Sequence, residues 1–183
     1  MTEPDTILIV EDEPELADLF ALWLADEFTC RVAYDGESAL EQADADVDAV
    51  LLDRRMPGMS GDEVLEKLRE RGIDCPVGMV TAVEPDFDIV EMGFDDYIVK
   101  PVAETDLLEF VDSILSLSTY EREIRRYYQL ASKRAVLETS KEAPELQQSA
   151  EYEALLSELN EAEHAADQHR DAISDEEMFS NIF

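Results

Sequence analysis

The sequence predicts a doubly wound α/β domain followed by a small all-α extension, and three observations carry that expectation. Up to about residue 118, five short apolar runs alternate with stretches of helical periodicity. Beyond Ser118 the strand patterns stop and the apolar spacing is helical throughout. Within the first of these regions lies the most telling stretch, Leu51 to Gly61, which reads LLDRRMPGMSG. An apolar run ends there in Asp53, and two arginines, a Met-Pro pair and a Gly-rich turn follow. A short buried strand that delivers one carboxylate to its C-terminal edge is how open α/β sheets build sites.

The elements follow in order. Thr6 to Val10 is a short apolar strand. Pro14 opens a helix with Leu16, Leu19, Phe20, Trp23 and Leu24 on one face. Cys30 to Tyr34 reads as a second strand, Asp35-Gly36 as a turn, and Glu37 to Ala43 as a second helix. Ala49 to Leu52 is continuously apolar, as expected of a strand covered on both faces. Ser60 to Arg71 is a helix with Val64, Leu65 and Leu68 inward, ended by Gly72. Val77 to Val80 is the fourth strand, Asp86 to Met92 a short helical stretch, and Tyr97 to Val99 the fifth strand. Glu104 to Leu117 is a fifth helix burying Leu107, Leu108, Val111, Ile114 and Leu115. Right-handed crossovers between these units give a parallel five-stranded sheet of order 2-1-3-4-5, a flavodoxin-like arrangement. The domain is expected over residues 1–118, and a helical domain over 119–183.

Composition narrows the function classes. With 14 basic and 46 acidic side chains the net charge is −32, which argues against non-specific binding of nucleic acid or anionic membrane by the whole surface. Such a surface suits concentrated salt, where a Debye length of about 3 Å at 1 M screens carboxylate repulsion. A halophilic protein is expected, and its melting temperature should rise steeply from low to molar KCl; a flat profile would reject that reading. No apolar run approaches the roughly 20 residues of a membrane span. The start, MTEPDTILIV, lacks the basic segment and cleavage site of a signal peptide. A cytoplasmic protein without a membrane partner is expected. Cys30 and Cys75, both placed in strands, read as two core thiols.

In this topology every strand C-terminus faces one edge. Glu11, Asp12 and Glu13 follow the first strand, Asp53 ends the third, Thr81 follows the fourth and Lys100 the fifth. The first and third strands are neighbours, so Asp12 and Asp53 can converge on one ion. Clustered carboxylates repel unless a hard cation sits among them. Mg²⁺ suits such a site because it takes one or two carboxylates and leaves room for a phosphoryl oxygen. An anionic Asp53 could then attack an anionic phosphate, with Lys100 as a second positive charge and Thr81 as a hydroxyl donor. Taken singly, each residue has a plainer role: Asp12 and Glu13 favour a helix N-terminus, Thr81 fills a loop, and Tyr97 is a strand residue with a wet hydroxyl.

The acidic cluster in IVEDEPEL, the LLDRRMPGMSG loop, Thr81-Ala82, Asp95-Asp96-Tyr97 and Lys100-Pro101 together resemble the receiver domain of two-component response regulators. The resemblance implies that Asp53 accepts a phosphoryl group from a partner histidine kinase. It implies that Glu11, Asp12, Asp53 and the backbone carbonyl of Arg55 hold Mg²⁺, and that Lys100 pairs with the phosphoryl group. It also implies that Thr81 moves toward that group and Tyr97 swings inward behind it, changing the face formed by the fourth helix, fifth strand and fifth helix. The Lys100-Pro101 bond is usually cis in that family. The chain would catalyse nothing beyond its own phosphoryl transfer and dephosphorylation. Only nineteen positions separate Thr81 from Lys100, fewer than is usual in receivers, so the fourth helix should be about a turn short. A rival reading, a phosphohydrolase of the haloacid-dehalogenase type, requires a second Asp two residues after the nucleophile, where this chain has Arg55.

The extension has two expected helices. Thr119 to Lys141 carries Tyr120, Ile124, Tyr128, Ala131 and Ala135 at helical spacing, and Ala143-Pro144 breaks it. Glu145 to Ala172 carries a heptad seam of Leu155, Leu159, Ala162, Ala166, His169 and Ile173. The stretch SKRAVLE, Ser132 to Glu138, and the acidic helix after it look like the HalX domain, a small module that follows receivers in halophilic archaea. The seam favours protein interaction or homodimerisation, unless it closes a hairpin within the chain. The alternative is DNA binding through Arg122, Arg125, Arg126, Lys133 and Arg134, in a stretch of 22 residues, 120–141, with net charge +3. Charge pairing with the acidic second helix would remove that option. No helix-turn-helix pattern accompanies it.

Overall fold

The computed structural model describes residues 3–117 and 122–170. The chain packs as two compact units, one of Met1–Glu84 with Met92–Ser118 and the other of Pro85–Glu91 with Thr119–Phe183.

The first unit is a parallel sheet of order β2-β1-β3-β4-β5, formed by β1 (Thr6–Val10), β2 (Thr29–Ala33), β3 (Ala49–Leu52), β4 (Val77–Thr81) and β5 (Asp96–Val99). Four helices flank it: α1 (Pro14–Leu24), α2 (Gly36–Gln42), α3 (Gly61–Glu70) and α4 (Glu104–Ser116). Strand alternation sends neighbouring side chains to opposite faces. Ile7, Ile9 and Leu51 pack with Phe20, Leu24, Leu107 and Val111 in one cluster, while Leu8, Val10, Val50 and Leu52 are equally buried. Both faces of the central strands are therefore covered, which is why β3 carries no polar residue. Gly78 lets α4 lie close to β4, since a Cβ there would come 2.4 Å from the Phe110 ring.

Helix starts follow local chemistry. Ser60 caps α3 through a reciprocal capping box with Glu63. The Asp35 carboxylate caps α2 by accepting from the Ser38 amide at 2.7 Å. Pro14 occupies the first turn of α1, where its missing N–H costs nothing.

Several boundaries and faces differ from expectation. β4 extends through Thr81, so that residue ends the strand rather than following it. Leu19 is exposed, and Ala17 takes the inward position on α1. Leu108 and Leu115 are half-buried, whereas Phe110, unremarked in the sequence, is buried. Cys75 lies in a bend before β4 rather than in a strand, and both cysteines are half-buried. The helical stretch before β5 shrinks to a 3-10 turn, Phe87–Glu91. That shortening agrees in direction with the short Thr81–Lys100 spacing.

The second unit contains that 3-10 turn, α5 (Arg122–Ser140), α6 (Ala143–Gln147) and α7 (Ala150–Arg170). The expected single helix after Pro144 is two helices, with Pro144 in the first turn of α6. α5 and α7 form the most extensive helix pair among the described residues. Leu155, Leu159 and Ala166 of the seam are buried and Ala162 is half-buried. On α5 the buried positions are Ile124, Leu130, Lys133 and Leu137, while the expected inward Ala135 is exposed. Tyr152 joins the two helices, its hydroxyl donating to Glu138 Oε1 at 2.6 Å. The seam is thus used within the chain, as a hairpin. Tyr120, Ile173 and the side chain of His169 lie outside the described residues. Among the described residues, no helix is long and apolar enough to cross a membrane.

Candidate phosphoacceptor site

Sheet register brings the acidic residues together. Val10 pairs with Leu52, so Glu11 and Asp53 leave adjacent strands at the same level, and the Asp53 amide donates to the Val10 carbonyl at 3.0 Å. Glu11, Asp12 and Asp53 each offer an oxygen within 4.8 Å of the others. On the other side Thr81 pairs with Val99, which places Lys100 beside Thr81; the Lys100 amide donates to the Thr81 carbonyl at 2.9 Å. The Lys100-Pro101 peptide bond is cis.

Lys100 reaches across the sheet edge. Its Nζ donates to Asp53 Oδ2 at 2.9 Å and to Glu11 Oε2 at 2.5 Å. Burial opposes the ammonium form, but the hydrogen bonds and attraction from Glu11 and Asp53 outweigh it and raise the Lys100 pKa. Burial raises the pKa of Glu11, with partial relief from the Lys100 hydrogen bond and the Glu13 amide. The ammonium therefore stays charged in the pocket at neutral pH. Asp53 Oδ1 accepts from the Arg55 amide at 3.3 Å, which orients the carboxylate. Thr81 is fully buried, and its Oγ1 accepts from the Val83 amide at 3.3 Å. Tyr97 is 6% exposed, and its hydroxyl donates to the Val83 carbonyl at 2.6 Å. Its ring meets Phe94 at 5.6 Å between centroids. Tyr97 thus already lies inward.

The loop after Asp53 is closed by contacts that sequence reading did not foresee. The Gly61 amide donates to the Arg54 carbonyl at 2.8 Å. Arg54 grips Asp62 with two bonds, Nε to Oδ1 at 3.0 Å and a terminal nitrogen to Oδ2 at 2.8 Å. This paired geometry ties the guanidinium to the first turn of α3. Asp95, fully buried, accepts from the Val77 amide at 2.8 Å and pairs with Arg69 at 3.3 Å. No local spacing signals either pair: Arg54 and Asp62 lie eight residues apart, and Arg69 and Asp95 twenty-six.

Donor chemistry decides which ion fits. Glu11, Asp12 and Asp53 supply only carboxylate oxygens, two of the three residues are buried, and among the described residues no His or Cys joins them. A hard, oxygen-seeking Mg²⁺ matches that set better than a thiolate- or imidazole-seeking metal.

The basic residues of α5 are dispersed. Lys133 is 2% exposed and its Nζ donates to the Val90 carbonyl at 2.8 Å. This corrects its expected role as a surface contact: the amine lies in the core of the helical unit. Arg126 pairs with Glu158 of α7. Arg134 pairs with Glu138, the acceptor of the Tyr152 hydroxyl. Arg125 is half-buried, and the side chain of Arg122 lies outside the described residues.

Comparison with known proteins agrees with this geometry. The family model of the response regulator receiver domain matches residues 7–112, and that of the HalX domain matches residues 116–183. The chain belongs to the response regulator receiver family, and a HalX domain follows its receiver. It is 49% identical over 163 residues to a protein of Haloferax volcanii provisionally named a transcriptional regulator, a match covering 87% of this chain and 28% of that one. It is 44% identical over 115 residues to the sensory transduction protein RegX3 of Mycobacterium tuberculosis, covering 60% of this chain and 50% of that one. The chain therefore spans half or less of the length of these curated relatives. Among solved structures, a CheY-like receiver domain protein from Methanospirillum hungatei aligns with TM-score 0.58 and 28% identity, over 62% of this chain and 95% of that one. The regulator TrrA of Thermotoga maritima, solved with Mg²⁺ and beryllium fluoride, aligns with TM-score 0.53 and 32% identity, over 60% of this chain and 98% of that one. Receiver, sheet order and helical extension thus support a two-component response regulator.

Proposed function

We propose that the chain is a phosphorylation-controlled switch in which Asp53 accepts a phosphoryl group from a sensor histidine kinase. The observation that carries this reading is the convergence of Glu11, Asp12, Asp53 and Lys100 at one sheet edge. An Asp53 carboxylate oxygen attacks phosphorus, the new O–P bond forms, and the P–N bond to the kinase imidazole breaks; its electron pair stays on that nitrogen, and the histidine leaves as a neutral imidazole that keeps the proton on its other ring nitrogen. Mg²⁺ held by Glu11, Asp12, Asp53 and the Arg55 carbonyl would neutralise phosphoryl charge during this step. Lys100 supplies a fixed positive charge, worth most in a partly water-excluded cleft. Thr81 offers its hydroxyl to the transferred group, and Tyr97 fills the space behind it. Differential contacts to Thr81 and Lys100 then bias two pre-existing states.

The helical unit serves as the output, acting through contact with another protein in the cytoplasm. Two features support this over DNA binding: Lys133 is buried, and Arg126 and Arg134 are paired with carboxylates. Homodimerisation through the seam would require opening the α5–α7 hairpin. The relatives named as transcriptional regulators leave a DNA-directed role for the complete assembly, delivered by whatever partner the helical unit engages.

Lys100→Ala separates chemistry from signalling. The variant is expected to accept phosphate from acetyl phosphate with Mg²⁺, at a rate lower by roughly tenfold as one fixed charge is removed. It should then fail to change partner binding. Phosphate-dependent partner binding at wild-type strength in this variant would overturn the role assigned to Lys100.

A further inference from the structure

The connection between β4 and β5 is held at both ends by different machinery. At its start, both backbone polar groups of Val83 are engaged: the amide donates to Thr81 Oγ1 at 3.3 Å and the carbonyl accepts from the Tyr97 hydroxyl at 2.6 Å. These partners are the two residues that the proposed function makes switch-sensitive. Two residues later, at Pro85, the chain enters the helical unit. There Ile89 and Val90 are buried, 0% and 8% exposed. Lys133 Nζ donates to the Val90 carbonyl at 2.8 Å from a buried position. Lys141 Nζ pairs with Asp86 Oδ1 at 3.1 Å and stands 5.6 Å from the centre of the Phe87 ring. Two of the chain's four lysines, Lys133 and Lys141, therefore fasten a segment that the receiver sequence supplies.

A buried ammonium is costly unless its hydrogen bonds are met, so a lysine on the inner face of a helix has to be explained. Here it meets a carbonyl of a 3-10 turn, whose last carbonyls have no partner within the turn. A lysine has the reach to cross from α5, and its four methylenes pack in the apolar interior.

We propose that Pro85–Glu91 is the mechanical link between phosphoacceptor and output, and that Lys133 and Lys141 are the positioning residues that transmit its movement to α5 and α7. This rests on the reading of Asp53 as phosphoacceptor. When the Thr81 hydroxyl turns to the phosphoryl group, it releases the Val83 amide. The tether from Val83 to Pro85 is two residues, at most about 7 Å when extended, so it has little slack to absorb the shift. The displacement passes along the backbone to the Val90 carbonyl and Asp86, and through the two lysines to the hairpin. Output from this chain is therefore carried by a segment integrated into the helical unit, rather than by a free face of the receiver.

The test is hydrogen exchange on the full chain in molar KCl, with and without Mg²⁺ and beryllofluoride, for wild type, Lys133→Met and Lys141→Gln. In wild type, beryllofluoride should change exchange by about threefold or more at residues 82–92 and also in α5 and α7, as expected when opening free energies shift by a fraction of a kcal/mol. Lys141→Gln, with the milder change, should keep its helical content and its response around Asp53 and Val83, yet lose half or more of the response in α5 and α7. Lys133→Met, which keeps the length but not the donor, should lose more. The inference is overturned if wild type responds around residues 53 and 81–84 with no change in α5 or α7, or if both variants transmit undiminished. No response at residues 53 and 81–84 would instead refute the phosphoacceptor reading and remove this inference with it.

Discussion

Asp53→Asn is expected to abolish phosphorylation, lowering incorporation from acetyl phosphate or a kinase by about a hundredfold or more, since a carboxamide is no nucleophile at phosphorus. The substitution is nearly isosteric, and the fold should persist. Its local effect is nevertheless readable. Oδ2 of Asp53 bonds to Lys100 and Oδ1 accepts from the Arg55 amide. An Asn can keep one of these with its oxygen, while its NH₂ faces the other donor. The ammonium would then lean on Glu11, already its partner. Mg²⁺ affinity should fall as well, because one of three converging carboxylates is lost. Labelling is measured by acid-stable gel or intact mass, and Mg²⁺ binding by titration. Normal labelling of the Asn variant would mean that another residue accepts the phosphate.

Gly61→Ala is the second large effect. A Cβ at Gly61 would sit 1.9 Å from the Asp53 carbonyl oxygen and 2.9 Å from Arg54 Cα. These are backbone atoms of the phosphoacceptor loop, and no rotamer change can clear them. Two effects compete. Gly61 begins α3, where Ala is favoured over Gly by up to about 1 kcal/mol. Overpacking against backbone costs about 1–3 kcal/mol, occasionally more. The clash is deeper than ordinary overpacking, so it wins. The melting temperature should fall by several degrees, at roughly 2–4 °C per kcal/mol for a chain of this size. The backbone at Asp53 must also shift, which disturbs the convergence of the three carboxylates, so Mg²⁺ affinity should fall with stability. A variant as stable as wild type with unchanged Mg²⁺ binding would show that the loop does not depend on this close approach.

The parts of this molecule written as local pattern could be read from the chain. Ala49 to Leu52 is buried on both faces because a central parallel strand is covered on both sides, and its sequence is accordingly all apolar. The parallel register of β1 with β3 and of β4 with β5 carries Glu11, Asp53, Thr81 and Lys100 to one edge. What stayed hidden was written at long range. Lys133 lies in a basic run and looks like surface, but its partner is a carbonyl 43 residues away. The heptad seam was visible, but whether it faces a second chain or α5 is decided by the turn between the helices, not by the seam. Arg54 beside the nucleophile bonds twice to Asp62, eight residues away, a pairing that no local pattern announces. Assignment of Phe87–Glu91 to the helical unit depends on side chains from α5 that sequence spacing does not connect to it.

The most direct test is to locate the acyl phosphate itself. The protein is incubated with acetyl phosphate and Mg²⁺ in molar KCl, treated with borohydride to reduce any aspartyl phosphate to homoserine, and mapped by tandem mass spectrometry. Homoserine should appear at position 53 alone, and chelation of the metal should prevent it. Homoserine at another aspartate, or undiminished conversion after chelation, would contradict the account.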